Sequence, residues 1–374
     1  MDLDNIKKKE IYPKSFEDLI IEVHERGICG QCGGCVSFCS ASKIGAIDMK
    51  EDGPPFYTNK DNCLHCGICY LICPQIHVLD KELHTSYNWK PPIGNWAYIN
   101  SSQAKSQEIR NIATDGGVVT ALLLYLLEKK LIDGALISEK ITPFSREPLF
   151  ATNKQEILKG AGSKFDLSGP TMELGKYTTF TSTIQGLKRV MDTDILNIAI
   201  VGVPCQIHTI RKMQEIDILP AHVIKYTFGL FCYENIAFKN RKLMENKFNF
   251  NFNDIIKMNI KEDFIFYLRE KDPLHIPLSE MEEFIRPACR VCNDFSNLYA
   301  DISFGGLGSK DSFTTTLVRT EIGNKVYKNA LKEGYIIENP EFNNSINKSK
   351  MLGKIIGFAN RKIKRSEIEL NKIL

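Results

Sequence analysis

The sequence has no long uninterrupted apolar run, and this absence bears on the cellular location. Its longest apolar stretch, 118–127, is interrupted by Thr120 and is far shorter than the roughly 20 residues that a membrane-spanning helix needs. The N-terminus has no basic region followed by an apolar region, so no secretory signal is expected. We therefore predict a cytoplasmic protein whose contact with a membrane, if it has one, is peripheral and made through a partner.

A strong charge of one sign is also missing. The formal net charge is +3 over 374 residues, which is too small to indicate nucleic-acid binding. The composition is 43% hydrophobic and 25% charged, as in ordinary soluble proteins. A chain of this length can form two or three domains, each with its own core.

Cysteine is the residue that is present in excess, with 12 in the chain. Eight of them form two runs in which three cysteines at intervals of three are followed by a fourth. The two runs contain Cys29, Cys32, Cys35 and Cys39, then Cys63, Cys66, Cys69 and Cys73. This spacing is that of metal ligands, and in a chain of this size it favours reduced thiols over disulfides.

Two such runs are typical of a protein with two [4Fe–4S] clusters. Three thiolates of a tight loop bind one cluster, and the fourth cysteine of each run binds the other cluster. One cluster is then expected on Cys29, Cys32, Cys35 and Cys73, and the other on Cys63, Cys66, Cys69 and Cys39. Structural zinc sites are the alternative, but they rarely need four cysteines so close together. The sequence therefore predicts electron transfer.

The rest of the chain favours a mixed α/β fold. Ser15 to Arg26 has a helical apolar pattern and a capping signal, and a domain boundary is predicted near 88–94. A buried helix and several strands follow, then a hairpin, so the core is not expected to be a clean doubly wound sheet. The predicted elements are the helix 118–130, strands at 134–137, 195–201 and 223–232, and the hairpin 255–260 with 264–268.

The turn Thr114-Asp115-Gly116-Gly117 lies where a loop enters the helix 118–130. Glycine backbone and the N–H groups at a helix N-terminus together form an anion site suited to the phosphates of a cofactor. The same residues also make an ordinary capped turn, and the pattern alone does not separate the two interpretations.

Four further cysteines lie outside the two runs: Cys205, Cys232, Cys289 and Cys292. Cys205 and Cys232 each follow a predicted strand, and strand ends on one edge of a sheet meet in space. Cys289 and Cys292 have ligand spacing, so the four are predicted to bind a third cluster. The alternatives are two buried free cysteines and a redox-active dithiol.

The C-terminal segment 341–374 is basic. Two glutamates, Glu367 and Glu369, accompany eight basic residues, which are Lys348, Lys350, Lys354, Arg361, Lys362, Lys364, Arg365 and Lys372. A solvated helix packed by its Ile and Leu residues is the simpler interpretation. A docking surface for an acidic partner is the other.

A series of motifs resembles those of one family, in the same order. They are Arg110–Gly117 with Val118–Leu123, Ile132–Ala135, Ala161–Phe165, Val201–Gln206, Gly229–Cys232, Arg286–Phe295, Ala300–Ile302 and Leu317–Gly323. The chain is identified by them as similar to the β subunits of the coenzyme F420 hydrogenases and dehydrogenases, a family of flavoproteins of methanogenic archaea. The dicluster segment in front makes it most similar, within this family, to the electron-input subunits of F420H2 dehydrogenases.

The resemblance implies FAD and coenzyme F420 in one domain. It places cofactor contacts at Arg110, Thr114, Asp115, Gly116, Gly117, Gly162, Ser163, Lys164, Pro204 and Arg319, and a cluster on Cys205, Cys232, Cys289 and Cys292. Lys164 and Arg319 are the candidates for phosphate or carboxylate contacts, with surface salt bridges as the alternative. Two departures from the family pattern are Ser40, in place of a proline, and 311–313, in place of a glycine–tryptophan pair.

These observations predict an F420H2-oxidising iron–sulfur flavoprotein. Hydride passes from reduced F420 to FAD, and single electrons pass through three [4Fe–4S] clusters to a partner protein. The predicted domains are 1–94 with two clusters, 95–340 with FAD, F420 and the third cluster, and the basic segment 341–374. Alternatives are the reverse reaction with a hydrogenase, a formate dehydrogenase or ferredoxin as donor, and a polyferredoxin-like carrier without a substrate site. A fourth is another substrate, since plant chlorophyll-reducing enzymes resemble the family too.

Overall fold

The computed structural model describes residues 13–50, 53–140, 146–162, 197–236 and 241–373. Within these ranges the helices are α1 Phe16–Leu19, α2 Gly34–Ala41, α3 Ile68–Leu71, α4 Asp80–Ser86, α5 Gln107–Ile112, α6 Val118–Glu128, α7 Lys154–Lys159, α8 Pro204–Glu215, α9 Arg241–Phe248, α10 Pro287–Arg290, α11 Glu321–Lys332 and α12 Ser345–Ile373. The strands are β1 Ile47–Met49, β2 Pro55–Tyr57, β3 Tyr98–Ala104, β4 Gly134–Lys140, β5 Arg146–Ala151, β6 Ile198–Gly202, β7 Ile224–Leu230, β8 Ile255–Ile260, β9 Asp263–Leu268, β10 Leu274–Pro277, β11 Ile302–Gly305, β12 Thr314–Val318 and β13 Ile336–Glu338.

An eight-stranded mixed sheet organises the larger part of the molecule. Its strand order is β13-β3-β12-β11-β7-β6-β4-β5. The four central strands β11, β7, β6 and β4 are parallel, and the flanking strands pair antiparallel. The predicted mixed α/β fold is therefore confirmed.

Helices cover both faces of this sheet. On one face α6 and α11 pack on alternate residues such as Ala135 and Ala199. On the other face Ile207 and Ile210 of α8 pack on the intervening residues such as Leu136. A parallel sheet that is covered on both faces reads as a continuous apolar run, which is why β6 has no polar alternation.

The cysteine-rich N-terminal segment begins with the predicted lead-in helix. Ser15 caps α1, its backbone N–H donates to the Asp18 carboxylate at 2.7 Å, and a π-helical turn over Ile20–His24 continues the helix. Each cysteine run then enters a short helix, α2 or α3, through a glycine in the left-handed region. These are Gly33 at φ 81° and Gly67 at φ 76°. Glycine has no Cβ to oppose this conformation, so the chain can turn sharply at the third cysteine.

The predicted hairpin is confirmed as β8 and β9, and β10 adds a third antiparallel strand. Its apolar residues form a separate small core with Phe250 and Phe284.

The C-terminal helix α12 differs from the predicted solvated helix. Met351, Ile355 and Phe358 are buried, but so is Lys362, with 1% of its surface exposed. A basic residue is buried here because its ammonium group finds carbonyl acceptors inside the protein. None of the described helices is both long and apolar enough to cross a bilayer. The predicted domain boundaries at 94/95 and 340/341 stay predictions.

Candidate functional site: three sets of cysteines and a glycine turn

Twelve cysteines gather in three sets of four. In the first set, the thiolates of Cys32, Cys29 and Cys73 act on Cys35 and, together with burial, raise its pKa well above the ordinary value. Burial likewise raises the pKa of Cys29 to about 12, with a further contribution from Cys32. The structure therefore brings the fourth cysteine of the second run to the first three of the first run.

The second set has the reciprocal composition. Burial and the thiolates of Cys66, Cys63 and Cys39 raise the pKa of Cys69 to about 12. These four cysteines line an open cavity with about 350 Å³ of empty space, which is otherwise walled mainly by Phe16, Phe38 and the Ile44–Ile47 segment. Cys66 is the exposed member of the set.

The third set lies at the carboxyl edge of the parallel strands. Cys205 follows β6 and Cys232 follows β7, and these two strands are neighbours. Burial and the thiolates of Cys32, Cys292, Cys232 and Cys289 raise the pKa of Cys205 well above the ordinary value. The loop cysteines 289 and 292, on and after α10, thus meet the two strand-end cysteines.

The chemistry of each donor set fits an iron–sulfur cluster. Buried thiolates that repel one another are unfavourable alone, and iron, which binds the thiolate form, removes this penalty. In the described part of the chain no three Cys, His, Asp or Glu side chains converge closely enough for a single metal ion. A four-iron cube spaces its ligands more widely than a single ion does, so four converging cysteines are the relevant pattern.

The three sets lie in sequence along the molecule. Cys205 of the third set acts electrostatically on its neighbour Cys32 of the first set, and Cys35 of the first set is coupled to Cys69 of the second. A Cβ placed on Gly30 would lie 4.0 Å from Cys205 Sγ, and Cys32 Sγ lies 3.4 Å from Thr209 Oγ1 of α8. The order is therefore third, first, second, ending at the exposed Cys66.

Two buried lysines donate to carbonyls of this site. Lys212 Nζ donates to Cys73 O at 3.0 Å and pairs with Asp80 Oδ1 at 3.1 Å. Lys362 Nζ donates to Cys232 O at 2.6 Å and to Asp294 O at 2.7 Å. Burial opposes the charge of Lys362, but the thiolates of Cys292, Cys232 and Cys289 outweigh it and hold the pKa of Lys362 above its ordinary value.

Arg365 lies one turn further along α12. It pairs with the buried Glu234 at 2.6 Å and donates to Cys289 O at 3.2 Å. Burial raises the pKa of Glu234 even though Arg365 opposes this. The C-terminal helix therefore contributes two cations to the surroundings of the third set.

The predicted glycine turn lies at the same edge of the sheet as the third set. Gly116 packs on β3 and β12, where an added Cβ would lie 2.5 Å from Ser102 O, and its N–H donates to Thr314 Oγ1 at 2.9 Å. That N–H is therefore engaged within the protein. Gly117, at φ 73°, begins α6, for whose N-terminus no side chain acts as a cap.

The carboxylate of Asp115 is enclosed within this turn. A Cβ on Gly306, just after β11, would lie 2.8 Å from Asp115 Oδ2, and Asn259 Nδ2 donates to Asp115 Oδ1 at 3.2 Å. Burial raises the pKa of Asp115, while Lys261 opposes this shift. Lys261 pairs with Asp311 at 2.6 Å, which is one of the positions that depart from the family pattern.

The remaining predicted cofactor contacts fall in different places. Arg110 Nη1 donates to Ala104 O at 2.6 Å and Lys105 O at 2.7 Å, beside the glycine turn. Gly162, at φ 77°, packs against the residues before that turn, since an added Cβ would lie 2.1 Å from Ile112 O. Pro204 is the first residue of α8. Ser163 and Lys164 lie outside the described residues.

Arg319 lies in the interior and contacts protein groups. It donates to Ile93 O at 2.7 Å, Asn95 O at 2.9 Å and Ser296 O at 2.9 Å. Burial lowers the pKa of Arg319 to about 10. These bonds indicate a structural role, and its assignment to a cofactor stays a prediction.

Sequence reasoning missed the residues that surround the predicted ligands. Thr209, Lys212, Asn259, Lys261 and Lys362 have no motif of their own, and long-range packing brings them to the site. One signal was present: Lys212 follows Cys205 by seven residues in an amphipathic helix, so the two lie on one face.

Comparisons with known protein families agree with the motif order. The C-terminal region of the coenzyme F420 hydrogenase/dehydrogenase β subunit matches residues 195–343, and its N-terminal region matches residues 100–174. The matched residues include the glycine turn, Cys205, Cys232, Cys289 and Cys292.

Three relatives are similar over most of this chain. It is 32% identical to the beta subunit of the coenzyme F420 hydrogenase of Methanosarcina barkeri, covering 67% of this chain and 84% of the relative. It is 27% identical to a subunit of the F(420)H(2) dehydrogenase of Methanosarcina mazei, covering 86% and 88%. It is 31% identical to the coenzyme F420-dependent sulfite reductase of Methanocaldococcus jannaschii, covering 87% of this chain but only 50% of that longer protein.

A solved structure has the same fold. A chain of the F420-reducing [NiFe] hydrogenase complex from Methanosarcina barkeri superposes with a TM-score of 0.65 at 27% sequence identity. The match covers 76% of this chain and 94% of that chain.

Proposed function

This chain belongs to the family of coenzyme F420 hydrogenase/dehydrogenase β subunits, and we propose that it oxidises F420H2 and passes the electrons to a partner protein. The enzyme is an F420-linked oxidoreductase with FAD and three [4Fe–4S] clusters. The three relatives carry F420 in their names, and two of them are named as subunits. These names support an F420-linked subunit of a larger assembly.

One observation carries the proposal. The glycine turn at 114–117 and the third cysteine set share the carboxyl edge of the sheet, and the sets then run in order to the exposed Cys66. Ligands of open α/β sheets bind beyond the carboxyl ends of the strands. A hydride acceptor at this edge lies next to the first of three single-electron sites.

The chemistry needs both kinds of group. FAD, when bound, accepts a hydride from F420H2 and releases electrons singly, and iron–sulfur clusters take one electron at a time. The chain's own residues position these groups: the glycine turn and α6 face the anionic part of the flavin, and the twelve cysteines hold the clusters. Asn259 and Lys261 of the three-stranded sheet cover the turn and fix Asp115.

An assay of the anaerobically reconstituted protein tests the proposal. We expect F420H2 to be oxidised with a viologen dye as acceptor, and NADH, as a hydride donor without the deazaflavin ring, to give no turnover. A protein with full FAD and iron content but no F420-linked turnover contradicts the proposal. Flavin absorption that is absent after iron extraction supports the carrier alternative.

The reverse direction has its own support, because the similar solved structure is of an F420-reducing complex. A redox titration separates the two directions. Clusters with potentials above that of the F420 couple support oxidation of F420H2, and potentials below it support reduction of F420.

A further inference from the structure

The buried lysines beside the cysteine sets differ in their counter-charge. Lys212 and Lys362 are the lysines that the described residues bury, at 0% and 1% exposure, and each donates to a carbonyl of a predicted ligand. Lys212 also has a carboxylate, Asp80 Oδ1, at 3.1 Å. Lys362 instead has two carbonyl oxygens as hydrogen-bond acceptors, Cys232 O and Asp294 O.

The other charges near Lys362 are already engaged. Glu234 is paired with Arg365 at 2.6 Å. The Asp294 carboxylate accepts from the backbone N–H of Asn297 at 2.8 Å and of Leu298 at 3.0 Å. The short contacts of Lys362 are those of a charged donor. Its positive charge therefore acts mainly on the third cysteine set.

We propose that Lys362 raises the reduction potential of the cluster held by Cys205, Cys232, Cys289 and Cys292. This inference rests on the proposed third cluster. A cluster with four thiolate ligands is anionic and gains one more negative charge when it takes up an electron. A cation buried beside it is poorly screened and therefore stabilises the reduced state. The C-terminal helix makes this cluster the better electron acceptor, and no proton is transferred in the step.

The test is a redox titration of the anaerobic protein followed by electron paramagnetic resonance. The signal of the third cluster is assigned by its loss in Cys292→Ser. Lys362→Met should lower the equilibrium constant for its reduction about tenfold, which is about 59 mV for one electron. Lys362→Arg keeps the charge and should retain more than half of the wild-type effect.

The matched control is Lys364→Met, which removes a lysine that the same helix exposes to solvent. It should change the equilibrium constant less than about twofold, since solvent and salt screen an exposed charge. A Lys362→Met value within about twofold of the wild type overturns the inference, as does an equal effect of Lys362→Arg.

Iron and sulfide analysis separates the possible failures. Wild-type protein without a third cluster overturns both the proposed cofactor content and this inference, whereas an intact cluster with an unchanged potential overturns only the inference. If Lys362→Met loses the cluster, Lys362→Gln, which keeps one donor, replaces it. Loss in both neutral variants but not in Lys362→Arg supports a requirement for the charge, and loss in all three variants shows a packing role and overturns it.

Discussion

At the scale of single residues, the buried cations show how motif and environment differ. Arg319 lies in a motif shared with the family, yet its guanidinium donates to carbonyls of the segment that leads into β3 and of the loop before β11. Buried carbonyl groups need partners, and an arginine fork supplies several at once. The family motif is therefore explained at this position by folding without any cofactor.

Replacing Arg319 tests this explanation. Arg319→Met leaves the carbonyls of Ile93, Asn95 and Ser296 without this donor, so we expect a loss of about 3 kcal/mol or more in the free energy of unfolding. Anaerobic urea denaturation measures it. The control Arg361→Met changes an exposed residue and should stay within about 0.5 kcal/mol. A variant that unfolds like the wild type but binds FAD weakly would instead establish a cofactor contact.

At the scale of secondary-structure elements, α2 and α8 join the two parts of the electron path. Gly34 of α2 packs against Thr209 of α8, and a Cβ at Gly34 would lie 2.0 Å from Thr209 Cγ2. The same threonine lies 3.4 Å from Cys32 Sγ. The glycine therefore sets how closely the first cysteine set approaches the helix that carries Cys205.

Gly34→Ala should force these helices apart and destabilise the protein by about 1–3 kcal/mol. Gly353→Ala is the matched control, because the helix α12 leaves open space around that glycine. Thr209→Ser removes the clashing methyl group but keeps the hydroxyl, so the double variant should recover most of the loss. Thermal unfolding of the four proteins measures this. No recovery in the double variant would show that the contact is not the cause.

The elements also show how far the sequence leads. The cysteine runs, α1, α6 and the hairpin β8–β9 could be predicted because each has a local signal: ligand spacing, a capping box, or an apolar period. The antiparallel strands β3, β12 and β13 were missed. Their polar residues, such as Ser101 and Thr315, are buried and satisfied by distant partners like Ser309, which no local pattern reveals. Lys362 was missed for the same reason.

At the scale of the whole molecule, the order of the cysteine sets gives the path a direction in space. The third set is next to the glycine turn, and the second set opens to solvent at Cys66 and at Leu64, which is 70% exposed. The N-terminal segment, which is the most conspicuous feature of the sequence, is thus the end of the path where a partner protein docks in the proposed function.

Cys66→Ala tests this order because it removes a ligand at the exposed end only. Reduction of the bound flavin by F420H2 in a single turnover should keep its wild-type rate, since Cys66 is remote from the glycine turn. Transfer to a protein acceptor should fall about tenfold or more, because the last cluster is lost. Cys205→Ala is the comparison, and it should stop reduction of both N-terminal clusters while the flavin still accepts hydride. Stopped-flow absorbance and freeze-quenched electron paramagnetic resonance follow the two steps separately. If Cys66→Ala slows flavin reduction, or leaves transfer to the protein acceptor intact, the electrons leave the molecule by another route.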